Sequence, residues 1–169
     1  MSRRIFKLSI ALLLVLFVLA APVAAGTTWT PYEGISYGTC EGPEGQSWIS
    51  GDRVLHKRGG VSYWYDEVSD PRLSGPLVLT VNWNFQLTAP PVFGYGPEWG
   101  TMRISNEGGY WEGHWVGERT EEGYSYITAV LHGYGDYQGL QARTDYVHET
   151  TDPSVPFTVH GVVMNPGGK

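Results

Sequence analysis

The segment from Trp111 to Glu118 constrains the fold more than any other part of this 169-residue chain. Its sequence, WEGHWVGE, alternates with a period of two, so tryptophan and glycine fall on one side of an extended chain. Glutamate, histidine and valine fall on the other side. Successive side chains of a β-strand point to opposite faces of a sheet. The pattern therefore predicts a curved antiparallel sheet in which large and small inward residues interleave.

Similar strand patterns recur along the chain, and no segment beyond the N-terminal region shows helical periodicity. Glycine, proline, asparagine and aspartate separate the strand patterns, as expected for strands joined by tight turns. We predict nine strands and consider the third a candidate edge piece. The strands are Gly34–Glu41, Ser47–Lys57, Val61–Glu67, Pro76–Leu87, Trp99–Asn106, Gly109–Arg119, Tyr124–Tyr134, Leu140–Glu149 and Phe157–Met164.

The segments between these strands contain residues typical of turns. Glu107–Gly109 and Glu121–Gly123 each predict a tight hairpin, because glycine admits positive φ angles. The glycines of Gly133–Gly139 predict a bulged and sharply bent corner. Thr88–Pro97 is too long for a hairpin turn and contains prolines, glycines and aromatic residues. A functional loop and a merely mobile loop are equally favoured there.

Eight or nine antiparallel strands must avoid leaving open sheet edges, which a closed barrel or a two-sheet sandwich achieves. We favour an all-β fold built as one antiparallel barrel of about eight strands, with the sandwich as the alternative. The segment from Leu77 to Phe85 has leucine, valine and aromatic residues at odd positions and mostly polar residues at even positions. This alternation is typical of a strand with one buried face.

The N-terminus has the pattern of a signal peptide in residues 1–25. Basic residues Arg3, Arg4 and Lys7 precede the apolar run Ile10–Ala21, and small residues before Ala25 offer a cleavage site. An uncleaved anchor is the alternative, although the run is shorter than the roughly 20 residues that a membrane span needs. We predict that residues 26–169 form a single barrel domain. The expected location is secreted, periplasmic or in the cell envelope.

The charge distribution limits which classes of molecule the protein is expected to bind. The formal net charge is −6, and beyond the leader the basic residues cluster only at Arg53, Lys57 and Arg58. Nucleic acids and anionic membranes require larger basic patches. We therefore expect no nucleic-acid partner and, after cleavage of the leader, no membrane partner.

Cys40 is the single cysteine, so an intramolecular disulfide is impossible. Pairing between chains and a free thiol both remain open for it. We favour a third interpretation, in which Cys40 is a small buried side chain on a strand.

Several motifs together resemble a known group of barrels. They are Ser69–Gly75 (SDPRLSG), Trp99–Ile104 (WGTMRI), Gly109–Gly113 (GYWEG) and His132–Leu140 (HGYGDYQGL). Their order resembles a loose set of small uncharacterised bacterial exported proteins. The last motif is also similar to a corner of allene-oxide-cyclase-like and dirigent-like β-barrels. The resemblance implies an eight-stranded barrel with an apolar lumen. The catalytic acid and polar pocket residues of the cyclases match no position here, so the cyclase activity is not carried over.

No motif in the chain carries strong evidence for catalysis or metal binding. His114, His132 and Glu112 lie on neighbouring predicted strands and could form a metal site, but a solvated outer face is the favoured interpretation. Ser36 lies in a Gly-x-Ser-x-Gly sequence without the helix that a nucleophile elbow requires, so we interpret it as an ordinary strand residue. Scattered acidic residues lack the density of a calcium loop; they are Asp66, Glu67, Asp70 and Asp136. We expect no cofactor.

The aromatic content points instead to binding. Seven tryptophans and eleven tyrosines exceed the needs of a core this size, so some are expected in a loop or at a barrel mouth. The candidate ligand-binding residues are Tyr32, Phe93, Tyr95 and Trp99. We predict an exported, non-enzymatic barrel that binds a small apolar ligand or acts at the cell surface. The alternatives are an isomerase or cyclase acting on a hydrophobic substrate in the lumen, and a carbohydrate-binding module that contacts a glycan. Complete filling of the lumen by aromatic rings is an equally favoured structural explanation.

Overall fold

The computed structural model describes residues 26–51, 53–88 and 94–167. Every regular element in this part of the chain is a β-strand. In chain order the strands are β1 (Thr28–Glu41), β2 (Gln46–Ser50), β3 (Val54–Val68), β4 (Gly75–Gln86), β5 (Gly96–Asn106), β6 (Gly109–Arg119), β7 (Ser125–Gly135), β8 (Gln141–His148) and β9 (Phe157–Asn165).

The strands form a closed antiparallel barrel. The order around the sheet is β1-β9-β8-β7-β6-β5-β4-β3, and an additional pairing between β1 and β3 closes the ring. β2 pairs only with β3 and lies outside the eight-stranded barrel. The prediction of an all-β barrel of about eight strands is confirmed, and the chain does not adopt the alternative two-sheet sandwich.

The second and third predicted strands differ from the observed ones. The predicted strand Ser47–Lys57 is interrupted by a turn in which Gly51 and Arg53 have φ angles of 42° and 66°. The chain then continues from Val54 through Val68 as one 15-residue strand. The segment Val61–Glu67 therefore lies inside the barrel wall, between β1 and β4, and its interpretation as an edge piece is wrong. The edge strand is β2.

The predicted hairpins are present. β5 and β6 meet through a two-residue turn, because Asn106 pairs directly with Gly109. The β6–β7 turn is closed by the Gly123 amide, which donates to the Thr120 carbonyl over 3.0 Å, and Gly123 has φ 90°. The chain also bends between β7 and β8, where Gly135 has φ 71°.

The alternation in β6 places its tryptophans in the core. Trp111 is fully buried and Trp115 is 3% exposed, and burying one such ring contributes roughly 5 kcal/mol of transfer free energy. Gly100 on β5 pairs with Trp115. A Cβ atom at Gly100 would lie 2.8 Å from the Trp115 indole nitrogen and 1.7 Å from the Thr80 carbonyl oxygen. Large and small residues thus interleave between strands as well as along them.

The barrel is packed most tightly near the β5–β6 turn, where a group of side chains no more than 9% exposed closes the lumen. This group comprises Leu73, Ile104, Trp111, Leu131 and Tyr137. In the middle of the barrel several inward side chains are only half-buried, among them Leu79, Val81 and Ile127. Towards the β6–β7 turn the inward residues Phe85, Glu98 and Ser125 are again no more than 6% exposed.

Cys40 is exposed, which contradicts the interpretation of this residue as a buried side chain. It lies on β1 where the register with β3 shifts, so its side chain is not held in the inward alternation of the strand. The signal-peptide prediction for residues 1–25 lies outside the described residues. Within the described ranges, no helix has the length and apolarity to cross a membrane.

Candidate functional site

The lumen contains a small cavity of about 30 Å³. Because one water molecule occupies about 10–15 Å³ on this measure, the cavity holds roughly two water-sized groups. Most of its wall is apolar, and a serine and a tyrosine contribute the only hydroxyls. The lining residues are Ser36, Trp64, Leu77, Leu79, Met102, Trp115, Ile127, Tyr146 and Phe157.

A buried carboxyl group lies directly behind the two hydroxyls of this wall. Asp66 on β3 is 1% exposed and pairs in register with Ser36 on β1. The Tyr146 hydroxyl on β8 donates a hydrogen bond to Asp66 Oδ2 over 2.8 Å. Asp66 Oδ1 is buried and accepts no hydrogen bond from the described part of the chain. Asp66 Oδ1 is therefore a hydrogen-bond acceptor without a donor, and it lies close to an apolar cavity.

Burial determines the ionisation of this group. Removal from water raises the pKa of Asp66 to about 6, and the nearby hydroxyls of Ser36 and Tyr146 only partly offset the effect. Burial and the adjacent Asp66 carboxylate together raise the pKa of Tyr146 well above its ordinary value. At neutral pH the lumen therefore holds an ionised carboxylate beside a neutral phenol.

A second tyrosine extends the polar part of the lumen. Tyr32 on β1 is 5% exposed and its hydroxyl is hydrogen-bonded to the hydroxyl of Thr144 on β8. Burial is the largest cause of a raised pKa at Tyr32. Its ring packs against Gly161, where a Cβ atom would lie 2.3 Å from the ring. Tyr32 thus serves as a packed, hydrogen-bonded element of the barrel interior.

The four predicted ligand-binding residues do not come together in one place. Tyr32 is buried in the lumen, while Trp99 lies on the outer face of β5 with the Arg58 guanidinium 4.8 Å from its ring. Tyr95 lies between β4 and β5, and the charge of Glu121 raises its pKa. Phe93 lies outside the described residues, as does the rest of the segment 89–93.

The outer-face histidines are arranged differently from a metal site. Glu112 pairs with His132 across the β6–β7 ladder, whereas His114 pairs with Val130. Glu112, His114 and His132 are all exposed. In the described ranges no group of three or more histidine, cysteine or acidic side chains could hold a metal ion. These three side chains therefore lie on a solvent-exposed face of β6 and β7.

The acidic residues considered for calcium have separate environments. Asp66 faces the lumen, and Glu67 is exposed on the opposite side of the same strand. Asp70 forms an ion pair with Arg72 at 2.6 Å, and the hydrogen bonds from Arg72 hold the pKa of Asp70 below its ordinary value. Asp136 is exposed on the turn after β7. These carboxylates therefore do not form a shared site.

Comparison with known proteins adds no functional information, since no family model, curated protein or solved structure matches the chain. Any functional conclusion must come from the geometry of the lumen. The residues that carry this geometry, Ser36, Asp66 and Tyr146, were not identified as a site from the sequence. Ser36 and Asp66 belong to distant segments of the chain. Their proximity can be recognised only when the pairing of β1 with β3 is known.

Proposed function

We propose that this protein is an exported, non-enzymatic barrel that binds a small, mainly apolar molecule in its lumen. The proposal rests on the apolar cavity, which has Ser36 and Tyr146 in its wall and Asp66 behind them. Ligand pockets combine a mainly apolar lining with a few polar groups that orient the ligand.

The size of the cavity limits the ligand. A molecule larger than two water-sized groups must displace side chains. The half-buried lining residues are the candidates to move: Trp64, Leu79, Ile127 and Phe157. A single hydroxyl on the ligand would hydrogen-bond the hydroxyls of Ser36 and Tyr146, which lie between the cavity and Asp66. The preferred ligand is therefore compact, with an apolar body and one hydrogen-bond donor.

Calorimetric titration with phenol and with 1-hexanol tests this proposal. Ile127→Phe adds volume at the cavity and should weaken binding by at least tenfold. Val130→Phe is the matched control, because Val130 lies on the same strand but is 47% exposed on the outer face. Binding that survives Ile127→Phe unchanged, or no binding of either compound to the wild-type protein, contradicts the proposal.

An isomerase or cyclase acting on a hydrophobic substrate is the second candidate, and the buried Asp66 favours it. A carboxyl group with a pKa of about 6 is suited to accept and return a proton near neutral pH. Tyr146 connects this group to the cavity wall. Proton transfer between a substrate carbon and this pair would support such a reaction.

Exchange of the α-protons of cyclohexanone in D₂O distinguishes the two candidates. An enzyme should accelerate the exchange, with a rate that rises as Asp66 ionises near pH 6, and Asp66→Asn should abolish the acceleration. Exchange at the buffer rate, together with measurable binding of phenol, would leave the binding function as the supported one.

A further inference from the structure

The inner face of the barrel carries another polar cluster, formed by Trp83 on β4, Glu98 on β5 and Arg119 on β6. Three of its buried atoms make no hydrogen bond in the described part of the chain: Trp83 Nε1, Glu98 Oε1 and Arg119 Nε. Glu98 is 6% exposed. Buried polar groups are nearly always paired, so three unpaired atoms in one cluster are unusual.

The members of this cluster are neighbours. Trp83 and Glu98 are direct partners across the β4–β5 ladder. The ring of Phe85 stacks on Trp83 at 5.1 Å, and the Arg119 guanidinium lies 5.0 Å from the Phe85 ring. The cluster is separate from the lumen cavity, because Trp83 lies four residues beyond Leu79 on the same strand, a distance of about 13 Å.

The charges and the unpaired atoms define what could bind. Burial raises the pKa of Glu98, and the positive charge of Arg119 and the hydroxyl of Ser125 only partly offset this effect. The Arg119 guanidinium is the compensating charge for an ionised Glu98, which favours an uncharged ligand. Phe85 and Lys57 both lie over the Trp83 ring, so a ligand reaches the indole at its N–H edge.

We propose that Trp83, Glu98 and Arg119 form a binding site for a neutral polyhydroxylated molecule, with a monosaccharide as the expected class. A hydroxyl group both donates and accepts, so it can donate to Glu98 Oε1 while accepting from an N–H group. The three residues come from successive strands whose axes are about 4.8 Å apart. Adjacent hydroxyls on one rigid ring can span this spread better than a single oxygen can.

Thermal-shift and calorimetric titrations with D-glucose, D-galactose, D-mannose and N-acetyl-D-glucosamine test the site. At least one sugar should raise the Tm of the wild-type protein saturably. Glu98→Gln and Trp83→Phe should each weaken binding by at least tenfold. The matched controls are Glu118→Gln, an exposed glutamate on β6, and Trp99→Phe, an outer-face tryptophan on β5. Both controls should bind as the wild type does.

Stability and selectivity measurements make the test sharper. Trp83→Phe removes an unpaired donor but also shrinks the ring that stacks on Phe85 and contacts Lys57, so its Tm without sugar is measured beside its binding. Ser36→Ala should leave sugar binding unchanged, since Ser36 lines the cavity from β1, a strand that contributes nothing to the cluster. The proposal is overturned by no response to any of the four sugars, by undiminished binding to Glu98→Gln, or by a crystal structure grown with sugar that holds only water at the three atoms.

Discussion

Asp66 and Tyr146 are joined across the barrel lumen by a hydrogen bond of 2.8 Å, in which the tyrosine hydroxyl donates to the carboxylate. Asp66 lies on β3 and Tyr146 on β8, and in the shorter direction around the barrel β1 and β9 lie between these two strands. The bond therefore links parts of the wall that share no backbone ladder. It also stabilises a charge that burial disfavours, and this balance determines how stability depends on pH.

Asp66→Asn should stabilise the protein at neutral and alkaline pH. The folded-state pKa of about 6 lies above the ordinary value of 3.8, so ionisation of Asp66 destabilises the fold. The penalty is absent below about pH 4, grows between about pH 4 and 6, and levels off at about 3 kcal/mol at higher pH, because each pH unit between the two pKa values is worth about 1.4 kcal/mol. Urea unfolding of both proteins between pH 3 and pH 8 measures the difference.

The control for that experiment is Glu67→Gln, the exposed carboxylate next to Asp66 on the other face of β3. Its effect on the free energy of unfolding should stay within about 0.5 kcal/mol, as is usual for surface substitutions. A constant difference between wild type and Asp66→Asn at all pH values would contradict the assignment of a raised pKa to Asp66.

Tyr146→Phe should destabilise the protein more at pH 8 than at pH 4. The substitution removes the donor to Asp66 Oδ2, and hydrogen bonds to charged groups are worth about 1.5–3 kcal/mol, against about 1 kcal/mol for neutral ones. Tyr126→Phe is the matched control, because Tyr126 also donates to a carboxylate, Glu149, at 2.9 Å but is exposed. Equal losses at both pH values would mean that the bond to an ionised Asp66 does not form.

Local patterns sufficed to predict much of the barrel. The alternation in β4 and β6 and the glycines at the β5–β6 and β6–β7 turns depend on neighbouring residues, which a sequence displays directly. β3 was harder to predict, because the stretch from Ser62 to Glu67 carries polar and aromatic residues on both faces. The alternation of side chains along the strand therefore does not indicate which of its two faces points into the barrel.

The candidate site could not be predicted because it depends on barrel closure. Ser36 faces Asp66 only through the β1–β3 pairing, and Tyr146 reaches Asp66 only across the lumen. Neither contact leaves a local signature in the chain. Two of the predicted ligand-binding residues, Trp99 and Tyr95, have environments determined by Arg58 and Glu121, which are distant in sequence.

Gly100→Ala should destabilise the barrel by more than about 3 kcal/mol. The new Cβ atom would lie 1.7 Å from the Thr80 carbonyl oxygen, so a strand must shift and the Trp115 ring must move with it. Gly38→Ala on β1 is the matched control, since its Cβ atom would make only ordinary contacts at 3.8 Å from Trp64. Thermal unfolding should show a loss for the first variant alone, and comparable stability of the two would refute the close approach.

Asp70→Asn should have the opposite pH dependence to Asp66→Asn. Arg72 donates to Asp70 through its backbone amide, Nε and Nη2, and these bonds hold the folded-state pKa of Asp70 below its ordinary value. The stabilisation is therefore complete above pH 4 and is lost as the pH falls through the lowered pKa. At pH 7 the variant should lose about 1–2 kcal/mol, since the Arg72 side chain is partly exposed and solvent weakens the pair. Urea unfolding at pH 7 and at pH 2.5 should show that this loss shrinks in acid, and a loss that grew in acid would reverse the assigned sign.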